Sequence, residues 1–312
     1  MCILCSKNYS KDIKIINCNS CKKIRRLPKN LYNLKSLNIE NTNITIIPYS
    51  YNNLVNLNIK NTKITQLPNF EYLKKLICSN TLINKIPDSL INLEYLDCSN
   101  TKIKFLSYKF SKLKYLKCKN TLINILPSTY NKLLLLNCSK CLITYISPKY
   151  NKLNYLDCSF NKIKYISFKL NNLLHLDISN TQISNLYLTK LIYLNISNTK
   201  IKNINNKLTK LKTLICYNIN IKSLPLELDG MNDIKPNYEH VKNEIQNPVF
   251  FSPPNTNITH YFNTYFEIIT EGFSSNTPFH DYVDRTNLLH YSEKIYKPIL
   301  FGVPFCFWGP EN

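Results

Sequence analysis

The amino-acid sequence predicts a curved α/β solenoid with a parallel β-sheet on its concave face and a mostly extended convex side. The first observation is a leucine that recurs once per unit, at Leu34, Leu54, Leu73, Leu93, Leu113, Leu133, Leu153, Leu173, Leu191 and Leu211. The second is the spacing of 18 to 20 residues between these leucines, which is typical of a solenoid repeat. The third is that so short a unit has room for a strand but not for a full helix as well.

Each unit follows one pattern, Leu-x-x-Leu-x-(Ile/Cys)-x-Asn-Thr-x-Ile-x-x-(Ile/Leu)-Pro, as in the segment from Leu73 to Pro87. Because side chains alternate along a strand, the fourth and sixth positions face inward, and the third, fifth and seventh face outward. Stacked units then bury a continuous core behind the sheet. The proline removes a backbone donor, so we expect an extended or single-turn return path. A degenerate first unit begins at Ile13 and brings the array to about eleven units.

Charge and glycine divide the chain into two parts. The whole chain has 40 basic and 19 acidic residues, a formal net charge of +21. Residues 1–225 have a net charge of +27, whereas residues 226–312 have a net charge of −6 and contain all four glycines. We therefore predict an N-terminal cap over residues 1–12, repeats over residues 13–225 and a small non-repeat α/β segment over residues 226–312.

Composition and hydropathy exclude two classes of protein. The 44% content of hydrophobic residues excludes a wholly disordered chain. No apolar run reaches the ~18 residues that a membrane-spanning helix needs. The first residues lack the charged-then-apolar layout of a signal peptide, so we expect a protein of the cytoplasm that is not secreted. In that reducing compartment its cysteines are thiols or metal ligands. By default we expect the protein to be a monomer.

The repeat register accounts for nine of the 12 cysteines. Seven of them occupy the inward sixth position, namely Cys18, Cys78, Cys98, Cys118, Cys138, Cys158 and Cys216. Cys21 and Cys141 occupy the ninth position, where most other units have threonine. A buried thiol packs as a small hydrophobic group, so packing explains both positions.

The N-terminal cysteines form one candidate metal site. Cys2-x-x-Cys5 is followed after twelve residues by Cys18-x-x-Cys21, which is close to the spacing of a four-thiolate zinc site. A zinc ion there would close the open end of the repeat array. The alternative is a plain apolar cap with no cofactor, because packing alone already accounts for Cys18 and Cys21.

The outward strand positions form the candidate binding surface. The third position has a column of aromatic side chains, Tyr95, Tyr115, Tyr155, His175 and Tyr193. The fifth position adds three carboxylates, Asp97, Asp157 and Asp177. Tyrosine is enriched in protein interfaces, although the same column could simply stack along the sheet and shield it from water. His175 and Asp177 share a face but lack a third catalytic group, so we predict no enzymatic activity.

The lysine excess suggests another kind of partner. The charges on the predicted sheet face nearly cancel, so most of the positive charge falls on the turns and the convex side. These lysines would attract nucleic acid or an anionic membrane surface in a salt-dependent manner. The chain has no basic groove interleaved with aromatic residues and only three arginines, which argues against a nucleic-acid partner. We therefore favour a solvated lysine surface.

The repeat pattern over residues 13–225 resembles that of leucine-rich repeat proteins. The short unit, with Leu-Pro after the strand, is similar to repeats of bacterial effectors and giant viruses, and the composition fits a giant-virus source. The location would then be the host cytoplasm. The resemblance implies a horseshoe fold and a non-enzymatic scaffold that binds a protein partner through its concave sheet.

The C-terminal segment resembles part of the glycosyltransferase-like domains of large viruses and phages, through Tyr265–Glu271 and Ser292–Phe305. The resemblance would place Glu293 near a nucleotide-sugar ribose and Lys294 or Lys297 near phosphate. A segment of ~65 residues is too small for a two-lobed cleft, which favours an inactive fragment or a cap on the last repeat. The alternative is a glycosyltransferase-related protein whose repeats select the acceptor.

Overall fold

A computed structural model of the chain describes residues 2–6, 9–219 and 250–251. A short helix, α1 (Ile3–Ser6), lies at the N-terminal end. The strands of these residues are β1 (Ile15–Asn17), β2 (Ser36–Asn38), β3 (Asn56–Asn58), β4 (Lys75–Ile77), β5 (Tyr95–Asp97), β6 (Tyr115–Lys117), β7 (Leu135–Asn137), β8 (Tyr155–Asp157), β9 (His175–Asp177), β10 (Tyr193–Asn195), β11 (Thr213–Ile215) and β12 (Phe250–Phe251). The glycosyltransferase-like stretches Tyr265–Glu271 and Ser292–Phe305 lie outside the described residues.

The strands form one sheet in sequence order. Strands β1 to β11 pair in parallel, each with the next, and β12 pairs antiparallel with β11. Equivalent positions of successive units lie opposite each other, so that Ser36 pairs with Asn56 and Leu37 with Leu57. Each position of the repeat therefore becomes a column of side chains along the array. This arrangement confirms the predicted parallel-strand solenoid.

The inward positions of the unit fill the core. The first and fourth positions have leucines that are almost completely buried, such as Leu113 and Leu116, both 0% exposed. At the sixth position five consecutive units place a fully buried thiol, which forms a column of Cys78, Cys98, Cys118, Cys138 and Cys158. The isoleucines of the eleventh position, such as Ile103 and Ile123, complete the layer. The predicted inward and outward assignment of the strand positions is thus confirmed.

A further buried column lies on the return path and escaped the sequence analysis. It consists of the residue three positions before each leading leucine, namely Leu31, Tyr51, Phe70, Leu90, Phe110, Tyr130, Tyr150, Leu170, Leu188 and Leu208. The hydroxyls of Tyr130 and Tyr150 donate to the carbonyls of Ser107 and Pro127, both at 2.8 Å. The sequence does contain a signal for this column, because a large apolar residue recurs three positions before the leading leucine of every unit from Leu34 to Leu211.

The return path consists of short turns and extended segments. The amide of Leu34 donates to the carbonyl of Leu31 at 3.2 Å, and that of Leu73 donates to the carbonyl of Phe70 at 3.2 Å. Each such bond closes one turn, and most units have a second such turn directly before it, as when the amide of Leu90 donates to the carbonyl of Pro87 at 3.2 Å. These turns do not continue into a helix, as the short unit and its prolines predict. Among the described residues no helix is long and apolar enough to span a membrane.

The chain leaves each of the strands β1 to β11 through a left-handed residue at the eighth position. These residues have φ between 51° and 59°, and they are Ser20, Asn41, Asn61, Asn80, Asn100, Asn120, Lys140, Phe160, Asn180, Asn198 and Asn218. Asparagine tolerates this conformation better than most residues with a Cβ atom, which explains its recurrence. The next residue closes the turn, as when the Thr42 hydroxyl donates to the carbonyl of Ile39 at 2.7 Å.

Candidate functional site

The outward third, fifth and seventh positions of the units form a continuous surface, which we call the sheet face. The register brings the predicted aromatic residues of the third position into one column. Leu135 interrupts that column, because it lies between Tyr115 and Tyr155 on the adjacent strands. The column therefore has two parts. We call Tyr95 and Tyr115, before Leu135 in the sequence, the upper pair, and Tyr155, His175 and Tyr193, after it, the lower stack.

The lower stack consists of Tyr155, His175 and Tyr193. The rings of Tyr155 and His175 stack with centroids 4.3 Å apart and an interplanar angle of 14°. Those of His175 and Tyr193 are 3.9 Å apart at 4°. Burial between the two tyrosines lowers the pKa of His175 to about 4, and its Nδ1 has no hydrogen-bond partner in the described part of the chain. At neutral pH the imidazole is therefore an uncharged, flat member of the stack.

The upper pair is more open to solvent. Tyr95 and Tyr115 approach with ring centroids 6.0 Å apart and planes tilted by 35°. The ammonium group of Lys75 lies 5.1 Å from the centroid of the Tyr95 ring, a distance suited to a cation–π contact. The side chain of Tyr115 is 40% exposed. Of the predicted aromatic residues, Tyr115 thus offers the most accessible ring and hydroxyl.

The three predicted carboxylates have a structural role that the sequence analysis missed. One oxygen each of Asp97, Asp157 and Asp177 accepts the backbone N–H two residues later, at 3.0, 3.1 and 2.9 Å. Asn58 makes the same bond to the amide of Lys60 at 3.1 Å. The fifth position therefore closes the end of its strand, as aspartate and asparagine do in Asx-turns. The sequence signal was the alternation of Asp and Asn at one position.

Asp177 has the most strongly perturbed carboxylate on the sheet face. Burial, with a contribution from the neighbouring charge of Asp157, raises the pKa of Asp177 to about 6. The side-chain amide of Asn195 donates to its second oxygen at 3.0 Å. The ion pairs found in the described residues are Lys60–Glu40 and Lys114–Glu94, and none joins His175 to Asp177. The residues His175 and Asp177 therefore do not form an acid–base pair.

A second exposed apolar surface lies on the return path, at the thirteenth position of four consecutive units. It consists of Phe105, Ile125, Tyr145 and Tyr165, which we call the return-path stripe. Phe105 is 70% and Ile125 69% exposed, and the rings of Tyr145 and Tyr165 lie 6.0 Å apart. The sequence analysis did not identify this stripe, because most other units have polar residues at the same position, Ile46 being an exception.

Lysines occur on the sheet face and also on the turns and the return path. The sheet face carries four lysines and four acidic residues, namely Lys60, Lys75, Lys117, Lys119, Glu40, Asp97, Asp157 and Asp177. Other lysines of the turns and return path are exposed, including Lys102, Lys104, Lys109, Lys112, Lys162, Lys164, Lys169 and Lys202. The sheet face is therefore close to electrically neutral on a strongly positive molecule.

Three of the four predicted metal ligands converge at the N-terminal end. The sulfur atoms of Cys2, Cys5 and Cys21 all lie within 4.8 Å of one another, and those of Cys5 and Cys21 are 3.4 Å apart. Cys18 is buried and is not part of this group of three, although its thiol interacts with that of Cys2. Burial opposes ionisation of Cys2, but hydrogen bonds from the Cys5 backbone and from neighbouring thiols lower its pKa to about 7. Burial instead raises the pKa of Cys18 to about 12.

No protein-family model matches the sequence, and neither does any curated protein. Solved structures do match. The functional domain of InlJ from Listeria monocytogenes, which includes a cysteine ladder, aligns with a TM-score of 0.65 and 24% identity. The alignment covers 68% of this chain and 50% of that one, so this chain spans about half of the InlJ domain.

Two further structures extend the likeness to other organisms. A leucine-rich repeat protein of Leptospira interrogans aligns with a TM-score of 0.55 and 21% identity over 70% of this chain and 76% of that one. The leucine-rich repeat ectodomain of GASSHO1/SCHENGEN3 from Arabidopsis thaliana, solved in complex with CASPARIAN STRIP INTEGRITY FACTOR 2, has a TM-score of 0.55 and 21% identity. It aligns over 62% of this chain and 28% of that one. Together with the repeat pattern and the parallel sheet, these matches establish that this chain has the leucine-rich repeat fold.

Proposed function

We propose that this protein is a non-enzymatic scaffold that binds a protein partner through the sheet face. The observation that carries the proposal is the aromatic column at the third position, with Tyr115 40% exposed in its upper half. Tyrosine contributes a large contact area and a hydroxyl group while ordering few torsion angles, which is why tyrosines concentrate at binding hot spots. A neutral aromatic face on a basic protein favours a folded protein as the partner over a phosphate-rich polymer.

The geometry of the column also supports recognition by preorganisation. Parallel, in-register strands hold successive third-position residues at one strand spacing, about 4.8 Å, along the sheet. The stack of Tyr155, His175 and Tyr193 orders three rings before any partner arrives. A surface that is already ordered loses less conformational entropy on binding. The GASSHO1/SCHENGEN3 ectodomain, solved in complex with another factor, is an example of this fold engaged with a partner.

The test compares two triple variants of the full chain against a partner identified by co-purification. The sheet-face variant replaces Tyr95, Tyr115 and Tyr155 by alanine. The matched control replaces Phe105, Tyr145 and Tyr165 of the return-path stripe by alanine, and so removes the same number of aromatic rings from a different surface. We expect the sheet-face variant to weaken binding by at least ~2 kcal/mol in isothermal titration calorimetry, while the control retains the wild-type Kd.

Two outcomes would contradict the assignment. Unchanged affinity in the sheet-face variant would remove the sheet face from the interface. Loss of binding in the control alone would move the interface to the return-path stripe. Circular dichroism of both variants checks that the solenoid is intact, since all six side chains project from the surface of the array rather than into its core.

The remaining alternatives make different predictions for the unmodified chain. A glycosyltransferase-related protein would bind nucleotide-sugars, and such a ligand would raise the Tm of the native state. An electrostatic binder would take up DNA, RNA or anionic vesicles with an affinity that falls steeply as salt increases. The scaffold proposal predicts an unchanged Tm with nucleotide-sugars and weak, sequence-independent association with polyanions.

A further inference from the structure

The sulfur cluster at the N-terminal end lies apart from the sheet face, and repeat packing explains only part of it. Cys2 directly precedes α1, Cys5 lies within it, and neither belongs to a repeat unit. Even so, their sulfur atoms lie within 4.8 Å of each other and of the sulfur of Cys21. Three residues from two separate segments thus direct their thiols to a single point.

The behaviour of Cys21 differs from that of other residues at the ninth position. There, threonine hydroxyls donate to a strand carbonyl, as Thr62 does to the carbonyl of Ile59 at 2.7 Å. The other cysteine at this position, Cys141, also bonds a backbone carbonyl, that of Cys118 in the preceding unit, at 3.0 Å. Cys21 instead has its sulfur 3.4 Å from that of Cys5. Its thiol is therefore engaged by the helix segment rather than by the turn.

The distances suit a tetrahedral ion. Zinc–sulfur bonds of about 2.3 Å in a tetrahedron place the sulfur atoms about 3.8 Å apart. The sulfurs of Cys5 and Cys21 are 3.4 Å apart, and those of Cys2, Cys5 and Cys21 all lie within 4.8 Å of one another, a range that includes that value. Cys18 lies outside this group of three, but its thiol interacts with that of Cys2, which makes it the candidate for the fourth ligand.

We propose that Cys2, Cys5, Cys18 and Cys21 bind one zinc ion that fastens α1 to the first unit of the array. Four thiolates are the ligands of structural zinc sites, and two Cys-x-x-Cys pairs are their usual sequence form. The two basic pairs Lys22–Lys23 and Arg25–Arg26 follow Cys21 directly and would offset the negative charge of four thiolates. Binding would close the open end of the solenoid, whose first strand has a neighbour on one side only.

The experiment uses the unmodified full chain, prepared under reducing conditions without chelators or a metal-binding tag. Metal content is measured by mass spectrometry of the digested protein, and Co²⁺ replaces the native ion to report coordination geometry through its visible absorption. We expect about one zinc ion per chain and an intense cobalt spectrum of tetrahedral thiolate type. A chelator should lower the Tm, because the ion is a ligand of the native state.

Matched substitutions separate a metal site from ordinary repeat packing. Cys21→Thr and Cys141→Thr each introduce the residue that most other units have at the ninth position. Cys18→Ile and Cys158→Ile each introduce the isoleucine that four other units have at the sixth position, namely Ile39, Ile59, Ile178 and Ile196. We expect the variants of Cys21 and Cys18 to lose zinc and the chelator effect, and those of Cys141 and Cys158 to keep both. Cys2→Ser, outside the repeats, should also lose zinc with the solenoid intact.

Two results would overturn the proposal. One is a folded chain that contains no zinc as purified and takes up neither Zn²⁺ nor Co²⁺ on reconstitution. The other is a non-reducing peptide map of the purified chain that shows a disulfide between Cys5 and Cys21, since an oxidised pair leaves too few thiolates for the site. Neither result bears on partner binding by the sheet face, which lies on different side chains.

Discussion

At the scale of single residues, the eighth position shows how the repeat manages an unfavourable backbone conformation. Eight of its eleven left-handed residues are asparagine, and the departures are Ser20, Lys140 and Phe160. A bulky residue in this conformation costs roughly 1 kcal/mol relative to asparagine. Phe160 has φ of 54° and a ring that is 50% exposed. The ammonium group of Lys140 lies 5.3 Å from its centroid, so an exposed cation–π contact offsets part of that cost.

Replacing Phe160 by asparagine should therefore stabilise the protein. We expect an increase of about 0.5–1 kcal/mol in the free energy of unfolding, measured by urea denaturation. Phe160→Ala is the control, because it removes the ring but keeps a Cβ atom and has no amide to favour the left-handed conformation. Equal stability of the two variants would show that backbone strain is not the source of the gain.

His175 and Asp177 should contribute to the pH dependence of stability with opposite signs. The depressed pKa of His175, about 4 against ~6.5 when unfolded, makes stability fall as pH drops from 6.5 towards 4. The raised pKa of Asp177, about 6 against ~3.9 when unfolded, makes stability fall as pH rises through the same range. In the wild-type chain these two contributions partly cancel.

Two substitutions separate them, and each introduces a residue found in the same column. Between pH 7 and pH 5, His175→Tyr should lose about 2 kcal/mol less stability than the wild type, and Asp177→Asn about 1 kcal/mol more. Denaturation at the two pH values measures these differences. If the stability of both variants changes between these pH values by the same amount as that of the wild type, the native-state pKa values of these groups are close to normal.

At the scale of the repeat element, the ninth position determines how neighbouring units are joined. Most units use a threonine that bonds within its own turn, as Thr101 does to the carbonyl of Cys98 at 2.7 Å. Asn161 does more, because its amide reaches the carbonyls of both Cys138 and Cys158 at 2.8 and 3.1 Å. Its oxygen accepts the backbone N–H of Ile143 at 2.9 Å. This residue therefore ties two units together by hydrogen bonds.

Asn161→Ala should destabilise the protein by about 2–3 kcal/mol, because it leaves buried backbone groups of two units without partners. Asn161→Thr is the matched control and should lose less, since threonine restores the bond within the turn. Thermal and urea denaturation measure both. A loss of less than ~0.5 kcal/mol for the alanine variant would indicate that water replaces the amide.

At the scale of the whole molecule, the period predicted the architecture because each position of a solenoid repeats its environment. The leucine spacing was sufficient to predict the parallel sheet, its register and the inward column from Cys78 to Cys158. The aromatic column followed from the same register. Its division by Leu135 and the stacking of His175 depend on contacts between strands that one unit does not reveal. The convergence of Cys5 on Cys21 likewise depends on where α1 packs.

The linear stacking of units also predicts how far along the array a core substitution lowers stability. Each unit packs mainly against its two neighbours, so a core substitution should weaken protection most in the units that touch it. Leu136→Ala in β7 removes a fully buried side chain and should cost about 3 kcal/mol. Hydrogen exchange followed by mass spectrometry should show the largest loss of protection in β6, β7 and β8. Uniform loss from β2 to β10 would mean that the array unfolds as a single unit.

The column of core thiols gives this chain a labelling site in each of five consecutive units. Cys78, Cys98, Cys118, Cys138 and Cys158 are fully buried, and burial is the main reason that the pKa of most of these thiols is held far above the usual range. For Cys118 a hydrogen bond with Cys141 contributes even more to that rise. Such thiols react with alkylating reagents only when their own unit opens. Peptide mapping after brief alkylation would therefore give the opening free energy of each unit separately, without any introduced probe.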